Sequence, residues 1–260
     1  MLKNKTALIT GSTSGIGWGI ARALAAHGVH VMLHGLGDAA EIERLRQTLA
    51  AETGVTVLAD CADVRHAAET VRLVEKTQQG LGGLDILVNN AGIQFVAPVD
   101  EFPPERWDAI QDIVLNSTFH AIRAAVPGMK SRGWGRILNV ASAHGLVASP
   151  FKSAYVAAKH GQLGLTKAVA LELAETAITC NAICPGYVRT PLVESQIESQ
   201  AKVHGLPREK VIRDIILAAQ PTKRFVEVEE IAALAVFLCG EHARSITGAA
   251  IPIDGGWTAR

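Results

Sequence analysis

The chain has 260 residues, of which 48% are hydrophobic and 19% charged, with 25 basic and 25 acidic side chains. This length can bury one large core and no linker-like stretch divides it, so we expect one domain over residues 1–260. The balanced charge gives no net field for nucleic acid or an anionic membrane, which favours a small-molecule partner. No apolar run approaches the ~20 residues of a membrane span, no targeting pattern precedes the first strand, and the four cysteines form no Cys-x-x-Cys pair. We expect a soluble, cytoplasmic protein with reduced cysteines and no metal site.

A glycine-rich turn follows the first apolar run, Thr6 to Thr10. It reads Gly11-Ser-Thr-Ser-Gly15-Ile-Gly17 and leads into a helical pattern of apolar residues. Glycines let the backbone bend tightly and approach an anion, and the N–H groups at a helix start favour negative charge. The order of strand, glycine turn and helix therefore predicts a site for the phosphates of a dinucleotide.

The second predicted strand, Val29 to Leu33, ends at His34-Gly-Leu-Gly37, where a doubly wound fold meets the adenosine ribose. No arginine or lysine stands in this turn to hold a 2′-phosphate, which favours NAD over NADP. Asp38 lies slightly too far along for the ribose and has an alternative interpretation as a helix N-cap. After the third strand, Val55 to Ala59, the carboxylate of Asp63 is a candidate acceptor for an adenine amino group, or else a helix cap.

Later strands continue the same alternation. Asp85 to Asn90 runs into Ala91-Gly92, Arg136 to Val140 into Ala141-Ser142, and Ile178 to Ile183 into Cys184-Pro-Gly186. A long helix is expected from Glu105 to Arg132. Alternating strands and helices predict an α/β protein: a single-domain, Rossmann-type, doubly wound parallel sheet with helices on both faces. Residues 191–220 are predicted to form a small helical lid within that domain, broken near Gly205 and Pro207.

Tyr155 and Lys159 lie four residues apart at the start of an alanine-rich helix, so both side chains share one face. A free tyrosine has a pKa of about 10. An ammonium at ~4–5 Å, with an effective dielectric of ~20, would lower the tyrosine pKa by two or three units. We therefore expect Tyr155 to be a general acid/base. An isolated Tyr-x-x-x-Lys is more often a packing tyrosine beside a surface lysine, so the motif depends on its context.

That context resembles the short-chain dehydrogenase/reductase family from end to end. The shared motifs are Thr10-Gly11-x-x-x-Gly15-x-Gly17, Asn89-Asn-Ala-Gly92, Ser142, Tyr155-x-x-x-Lys159 and Pro185-Gly186. The resemblance implies hydride transfer with a nicotinamide cofactor, NAD here, and commonly a homotetramer. It implies that Tyr155 exchanges the hydroxyl proton, that Lys159 holds the nicotinamide ribose and lowers the tyrosine pKa, and that Ser142 binds the substrate oxygen. The cofactor-binding residues it implies are Gly11, Thr13, Gly15, Ile16, Gly17, Leu36, Asp63, Val64, Asn90, Gly92, Tyr155, Lys159, Val188 and Thr190.

Within the family the chain is most similar to members that interconvert short 3-hydroxy acids and 3-keto acids, with D-3-hydroxybutyrate and acetoacetate the expected pair. That similarity implies a substrate carboxylate surrounded by a set of polar and aromatic side chains. Lys152 supports this physically, because a cation just before a helix N-terminus is badly placed unless an anion lies between them. Each residue also has an alternative interpretation. Lys152 would be a solvated surface lysine, His144 and Gln196 polar loop residues, and Trp257 a tryptophan packed at a subunit interface. The substrate-binding residues implied are Gln94, His144, Lys152, Gln196 and Trp257.

Two departures from the family pattern affect the site. Aligned through Trp107, Val114 occupies the position of the usual fourth catalytic residue, an asparagine, and Asn116 is about 200° further round the helix. The resemblance assigns that asparagine a water on the proton route to Lys159. Tyr187 and Phe95 also replace residues common in the hydroxybutyrate group. The alternatives are therefore a related enzyme for a different hydroxy acid or ketone, or a low-turnover dinucleotide-binding protein.

Overall fold

The computed structural model describes residues 2–190, 193–194, 197–198, 201 and 205–259. Seven parallel strands form one sheet in the order β3-β2-β1-β4-β5-β6-β7. Apolar and β-branched residues dominate these strands because a parallel sheet is covered on both faces. The strands are β1 (Thr6–Ile9), β2 (His30–His34), β3 (Val57–Asp60), β4 (Ile86–Asn89), β5 (Gly135–Val140), β6 (Ile178–Pro185) and β7 (Ala250–Ile253).

The direction of strand order reverses between β1 and β4, which pair through Ala7–Ile86 and Ile9–Val88. In an open parallel sheet, ligands bind in the crevice beyond the carboxyl ends of the strands at such a reversal. The loops that follow β1, β4, β5 and β6 meet at this edge, which we call the C-terminal rim. The predicted doubly wound fold is confirmed.

Helices cover both faces of the sheet. Ile20 of α1 and Ile231 of α8 belong to the apolar core on one face, and Leu73 of α3 and Ala125 of α5 to the core on the other. The α-helices whose bounds the structure describes are α1 (Gly15–Ala26), α2 (Ala39–Thr53), α3 (Ala67–Leu81), α4 (Pro104–Gln111), α5 (Ser117–Arg132), α6 (Ser153–Glu172), α7 (Arg208–Val211) and α8 (Val228–Cys239). A 3₁₀ turn, Ala143–Gly145, follows β5, and another, Glu241–Ala243, follows α8.

The predicted helix over 105–132 is confirmed as one run, but its hydrogen-bond pattern changes in the middle. A π-helical turn, Asp112–Asn116, joins α4 to α5, and a second one, Ile212–Ile216, follows α7. Pro127 lies inside α5. Single π turns inserted in a helix are often found at functional sites. The first of them carries Val114 and packs against α6, beside the predicted catalytic residues.

The predicted lid, residues 191–220, is described only in part. Gly205 has a φ of 60°, in keeping with a break there, and α7 with its π turn follows. Gln196 lies outside the described residues. Within the described part of the chain, no helix is long and apolar enough to cross a bilayer. The four cysteines are unpaired; Cys61 is exposed, whereas Cys180, Cys184 and Cys239 are buried.

Candidate active site

The glycine turn between β1 and α1 is drawn tightly onto the C-terminal rim. Gly11 has a φ of 64°, a left-handed conformation that suits glycine. A Cβ added at Gly17 would lie 2.3 Å from the Gly11 carbonyl oxygen and 2.5 Å from Asn90 Nδ2. Alanine at position 17 would therefore push the turn apart.

Asn90 holds that turn in place. Its Nδ2 donates to the carbonyl oxygens of Thr10 (3.0 Å) and Gly11 (2.8 Å), and its main-chain N–H donates to Thr10 Oγ1 (2.9 Å). An asparagine in a strand-end turn commonly serves the backbone in this way. Asn90 thus shapes the predicted cofactor site, and Gly92, next but one along the chain, is exposed on the rim.

The N-terminus of α1 fits the phosphates of a dinucleotide. Ser14 is the N-cap, but its side chain makes no capping hydrogen bond to the first turn. The first N–H groups of a helix need a partner, and phosphate oxygens supply one. A Cβ at Gly15 would lie 3.5 Å from Thr190 Cγ2, so Thr190, after β6, lies beside the glycine turn. Bound here, a nicotinamide dinucleotide would supply the hydride chemistry.

The other predicted cofactor residues fall into exposed and packed groups. At the end of β2, Leu36 is 58% exposed, and the side chain of Thr13 lies against Gly35, where a Cβ would be 2.5 Å from Thr13 Oγ1. Asp63 is bound by the Arg65 guanidinium (Nε to Oδ2 2.9 Å), which holds the pKa of the Asp63 carboxyl below its ordinary value. Three more side chains pack into the apolar cores: Ile16, Val64 and Val188.

Two helix-cap alternatives have different outcomes. The Asp38 carboxylate accepts from the Ala40 N–H (3.0 Å), so Asp38 is the N-cap of α2 and that interpretation is confirmed. The helix-cap interpretation of Asp63 is wrong, because His66 is the N-cap of α3. The Asp63 carboxylate instead forms an ion pair with Arg65, two residues along the chain.

Sequence reasoning missed His34 of β2, which ties the glycine turn to the loop after β3. Its ring is buried; Nδ1 accepts from the Gly11 N–H (3.1 Å), so Nε2 carries the proton and donates to the Ala62 carbonyl (2.8 Å). Burial lowers the pKa of His34, which keeps the neutral tautomer that this arrangement needs. The only sequence signal was a histidine at the end of a predicted strand.

We expect His34→Leu to weaken NADH binding about tenfold and to lower the free energy of unfolding by about 1–3 kcal/mol, because the Gly11 N–H and the buried Ala62 C=O lose their partner. Fluorescence titration with NADH and urea unfolding measure the two effects. His30→Leu is the matched control, since His30 Nδ1 also accepts a main-chain N–H, that of Thr56, but at the start of β2. Equal loss of NADH affinity in both variants would contradict this role of His34.

The predicted catalytic pair lies on the first turns of α6. Lys159 is 3% exposed, and its Nζ donates to the Val140 carbonyl at the end of β5 (2.7 Å) and to Gln162 Oε1 (3.2 Å). The same Nζ lies 5.6 Å from the centroid of the half-buried Tyr155 ring. Burial lowers the pKa of Lys159 to about 7, so its charged and neutral forms are both populated at neutral pH.

The prediction that Lys159 lowers the pKa of Tyr155 is wrong for the protein without bound cofactor. Burial raises the pKa of Tyr155, and the hydrogen bond with Ser142 opposes the rise only in part. The prediction assumed a fully charged, partly hydrated ammonium, whereas Lys159 is buried and its donors point to Val140 and Gln162. Tyr155 in this state is a neutral proton donor.

Ser142 begins the 3₁₀ turn after β5 and is buried. Its Oγ accepts from the His144 N–H (3.1 Å), which fixes the side chain at the rim. A hydroxyl held in this way can still donate its own proton to a substrate oxygen. Ser142 and Tyr155 hydrogen-bond each other, so both hydroxyls lie close enough to reach one substrate oxygen.

We expect the cost of burying Lys159 to fall as pH rises from about 7 towards its ordinary pKa of 10.5. In that window the unfolded chain binds a proton on this lysine that the folded chain has lost, so its contribution rises by up to about 1.4 kcal/mol per pH unit. Urea unfolding of wild type and Lys159→Met at several pH values measures the difference. Lys167→Met, an exposed position on α6, is the control; wild-type and Lys159→Met profiles that run parallel would refute the expectation.

Four side chains that the sequence analysis connects with substrate binding form one aromatic and cationic pocket next to Tyr155. The His144 ring lies 6.0 Å from the Tyr155 ring and 4.9 Å from the Trp257 ring, both edge to face. Trp257 stacks on Tyr187 with centroids 5.6 Å apart, and Lys152 Nζ lies 5.8 Å from the Tyr187 centroid. The structure thus brings His144, Lys152 and Trp257 together as the resemblance implied.

Lys152 is a cation without an anion. It is half-buried at the N-cap of α6, and among the described residues no carboxylate pairs with it. Burial lowers the pKa of Lys152, and burial together with Lys152 lowers the pKa of His144 to about 4, which keeps that ring neutral. Phe151, just before it, has a φ of 67°, a costly conformation for a bulky residue that is typical of functional sites. The pocket is suited to a small carboxylate.

The other residues that the sequence predicts to affect the site lie in the loop after β4 and on the first π turn. Gln94 is exposed in the loop after β4. Phe95 packs edge to face on Phe102 (5.6 Å) and belongs to the same apolar cluster as Tyr155 and Val114. Val114 is fully buried, and Asn116 is exposed with its amide on Asp112 (2.8 Å). The Asn116 amide therefore lies at the surface and not at the buried position of Val114.

Comparison with known proteins agrees with this geometry. The family profile described as Enoyl-(Acyl carrier protein) reductase matches residues 11–258. The chain belongs to the short-chain dehydrogenase/reductase family. Two members of that family are each 55% identical to it and are named D-beta-hydroxybutyrate dehydrogenase. One, from Rhizobium meliloti, aligns over 98% of this chain and 99% of its own; the other, from Cupriavidus necator, aligns over 100% of both.

Solved structures of short-chain dehydrogenase/reductase proteins share the fold. L-sorbose reductase from Gluconobacter frateurii, complexed with NADPH and L-sorbose, superposes with a TM-score of 0.94 at 31% identity and covers 99% of this chain and 98% of its own. An actinorhodin polyketide ketoreductase with NADPH gives a TM-score of 0.90 at 35% identity, over 98% of both chains. A Rossmann-like fold of this family binds a nicotinamide dinucleotide, and these neighbours hold its phosphorylated form.

Proposed function

We propose that this protein is an NAD-dependent dehydrogenase that interconverts D-3-hydroxybutyrate and acetoacetate. The observation that carries the proposal is Lys152, a half-buried cation with no ion pair among the described residues, in the pocket beside Tyr155. A charge-assisted hydrogen bond from this ammonium would hold the carboxylate of a short acid. Both D-beta-hydroxybutyrate dehydrogenase relatives support the choice of acid.

The residues divide the chemistry between them. Lys152 binds the carboxylate, and the neutral His144 and Trp257 rings form the wall around it. Ser142 hydrogen-bonds the reacting oxygen and stabilises negative charge that develops on it. Tyr155 gives its proton to that oxygen when the ketone is reduced and takes it back when the alcohol is oxidised. The raised pKa of Tyr155 keeps the phenol protonated and available as a donor, and a charged Lys159 beside the ring would stabilise the phenolate that takes the proton back.

NAD is proposed over NADP on the turn after β2. Residues 34–37 contain no arginine or lysine to pair with a 2′-phosphate, and Leu36 is exposed there instead. We further propose that the protein works in the cytoplasm as a homotetramer, by analogy with the family. The helical lid over residues 191–220, the assignment of Gln94 and Gln196 to the substrate, and the cofactor contacts stay predictions.

A panel of acids and ketones, run with NAD and NADP side by side and followed by the absorbance of the reduced nicotinamide, tests the proposal. We expect D-3-hydroxybutyrate with NAD to give the highest kcat/KM. Preference for a longer or branched hydroxy acid would favour the second candidate, a related dehydrogenase, for which Tyr187 in the pocket wall is the observation. NADH binding without turnover on any substrate would overturn both.

A further inference from the structure

Gln162 is a buried polar residue of α6 with no role in the site described so far. It is 1% exposed, and its Oε1 accepts from Lys159 Nζ (3.2 Å). Lysine can only donate, so the atom that faces it must be the amide oxygen. A buried amide of this kind is costly unless all its groups are paired.

The other end of the Gln162 amide is anchored on the π turn and on the first turn of α5. Its Nε2 donates to Thr118 Oγ1 (3.0 Å) and, at 3.4 Å, to the Val114 carbonyl. Thr118 donates its own hydroxyl proton to that same carbonyl (2.8 Å), so its oxygen is free to accept. The direction of every hydrogen bond from Lys159 through Gln162 to Thr118 and Val114 is therefore fixed, and so is the orientation of the Gln162 amide.

The Val114 side chain cannot hydrogen-bond, and only its main-chain carbonyl enters the network. The catalytic lysine is therefore held between two acceptors, the Val140 carbonyl on β5 and Gln162 on its own helix. We infer that Gln162 is a positioning residue for Lys159, which orients the ammonium and stabilises its charged form in place of a side chain from the π turn. This inference rests on the proposed role of Lys159 in the reaction.

The other titratable groups around Lys159 leave this role to Gln162. The Cys184 thiol on β6 is kept neutral by burial, which raises its pKa to about 11. Tyr155 on α6 has a raised pKa, and His144 on the 3₁₀ turn is neutral and bonded to Ser149. Asp112 on the π turn is engaged by the exposed Asn116. An acceptor bound to an ammonium raises its pKa.

The experiment compares Gln162→Met, Gln162→Glu and a matched control, Gln111→Met. Gln111 also joins the helix over 104–132 to α6, through Nε2 to the Ala154 carbonyl (3.0 Å), but does not touch Lys159. We expect Gln162→Met to lower kcat about tenfold to a hundredfold with little change in KM, because the lysine loses an acceptor for its charged form. Gln111→Met should leave kcat near the wild-type value.

Unfolding of the cofactor-free protein tests the inference without turnover. The contribution of Lys159 to the free energy of unfolding is the difference between each protein and the same protein carrying Lys159→Met. The pH at which this contribution begins to rise should be lower in Gln162→Met. It should be higher in Gln162→Glu, whose carboxylate favours the ammonium. The same pH in all backgrounds would overturn the inference. If Gln162→Met does not fold, the Gln162→Glu shift alone decides. These results stand whichever substrate the panel favours, so failure here is distinct from failure of the proposed function.

Discussion

Tyr155→Phe is expected to lower kcat by about 10²- to 10⁴-fold while NADH affinity changes little. In the proposed mechanism the phenol oxygen exchanges the proton with the substrate oxygen, and removal of a general acid/base costs this much. The ring itself, packed edge to face near His144 and in the apolar cluster with Val114, keeps its contacts in the variant. Single-turnover kinetics with saturating cofactor and fluorescence titration with NADH measure the two quantities.

Tyr187→Phe is the matched control, because Tyr155 and Tyr187 are the two tyrosines of the chain and both line the pocket. The variant keeps the stack on Trp257 and loses only a hydroxyl, so we expect kcat to stay close to the wild-type value. A fully active Tyr155→Phe enzyme, or equal losses in the two variants, would remove Tyr155 from the mechanism.

Lys152→Met is expected to lower kcat/KM for the hydroxy acid about tenfold to a hundredfold, mainly through KM. The change removes the charge-assisted hydrogen bond that we propose Lys152 forms with the carboxylate before and during the reaction. Activity on an uncharged ketone of similar size should change little, because such a ketone carries nothing for the ammonium to bind. Initial rates over a range of both substrates measure the split.

Lys167→Met provides the charge-matched control for this experiment, since Lys167 is exposed further along α6. It removes the same side-chain charge away from the pocket, so acid and neutral substrates should both be unaffected. Equal losses on the acid and on the neutral ketone with Lys152→Met would mean that this lysine supports the pocket instead of binding the carboxylate.

The fold could be predicted because its signals are local and repeated. Each strand is a short apolar run, each ends in a turn of small or polar residues, and a helical pattern follows. The order of these signals along the chain is enough to predict the parallel sheet and its C-terminal rim. Gly11 and Gly17 could be placed for the same reason, and the structure shows why alanine would not fit at position 17. Strand ends shifted by one or two residues, as they commonly do.

What could not be predicted depends on contacts between distant parts of the chain. His34 reads as the last residue of a strand, and its link between Gly11 and Ala62 exists only after β2 lies between β1 and β3. The Gln162 network requires the π turn, which has no clear sequence signature. The Tyr155 pKa was misjudged because burial is a property of the folded site, and spacing along a helix does not report it.

The distribution of thiols has a practical use. Of the four cysteines, Cys61 alone is exposed, and it directly follows β3 at the edge where a dinucleotide is proposed to bind. The buried thiols have raised pKa values, about 11 for Cys184 and about 12 for Cys180 and Cys239, so they form little of the thiolate that reacts with maleimides. A dye attached to the unmodified sequence should therefore label a single position and report cofactor occupancy by its fluorescence.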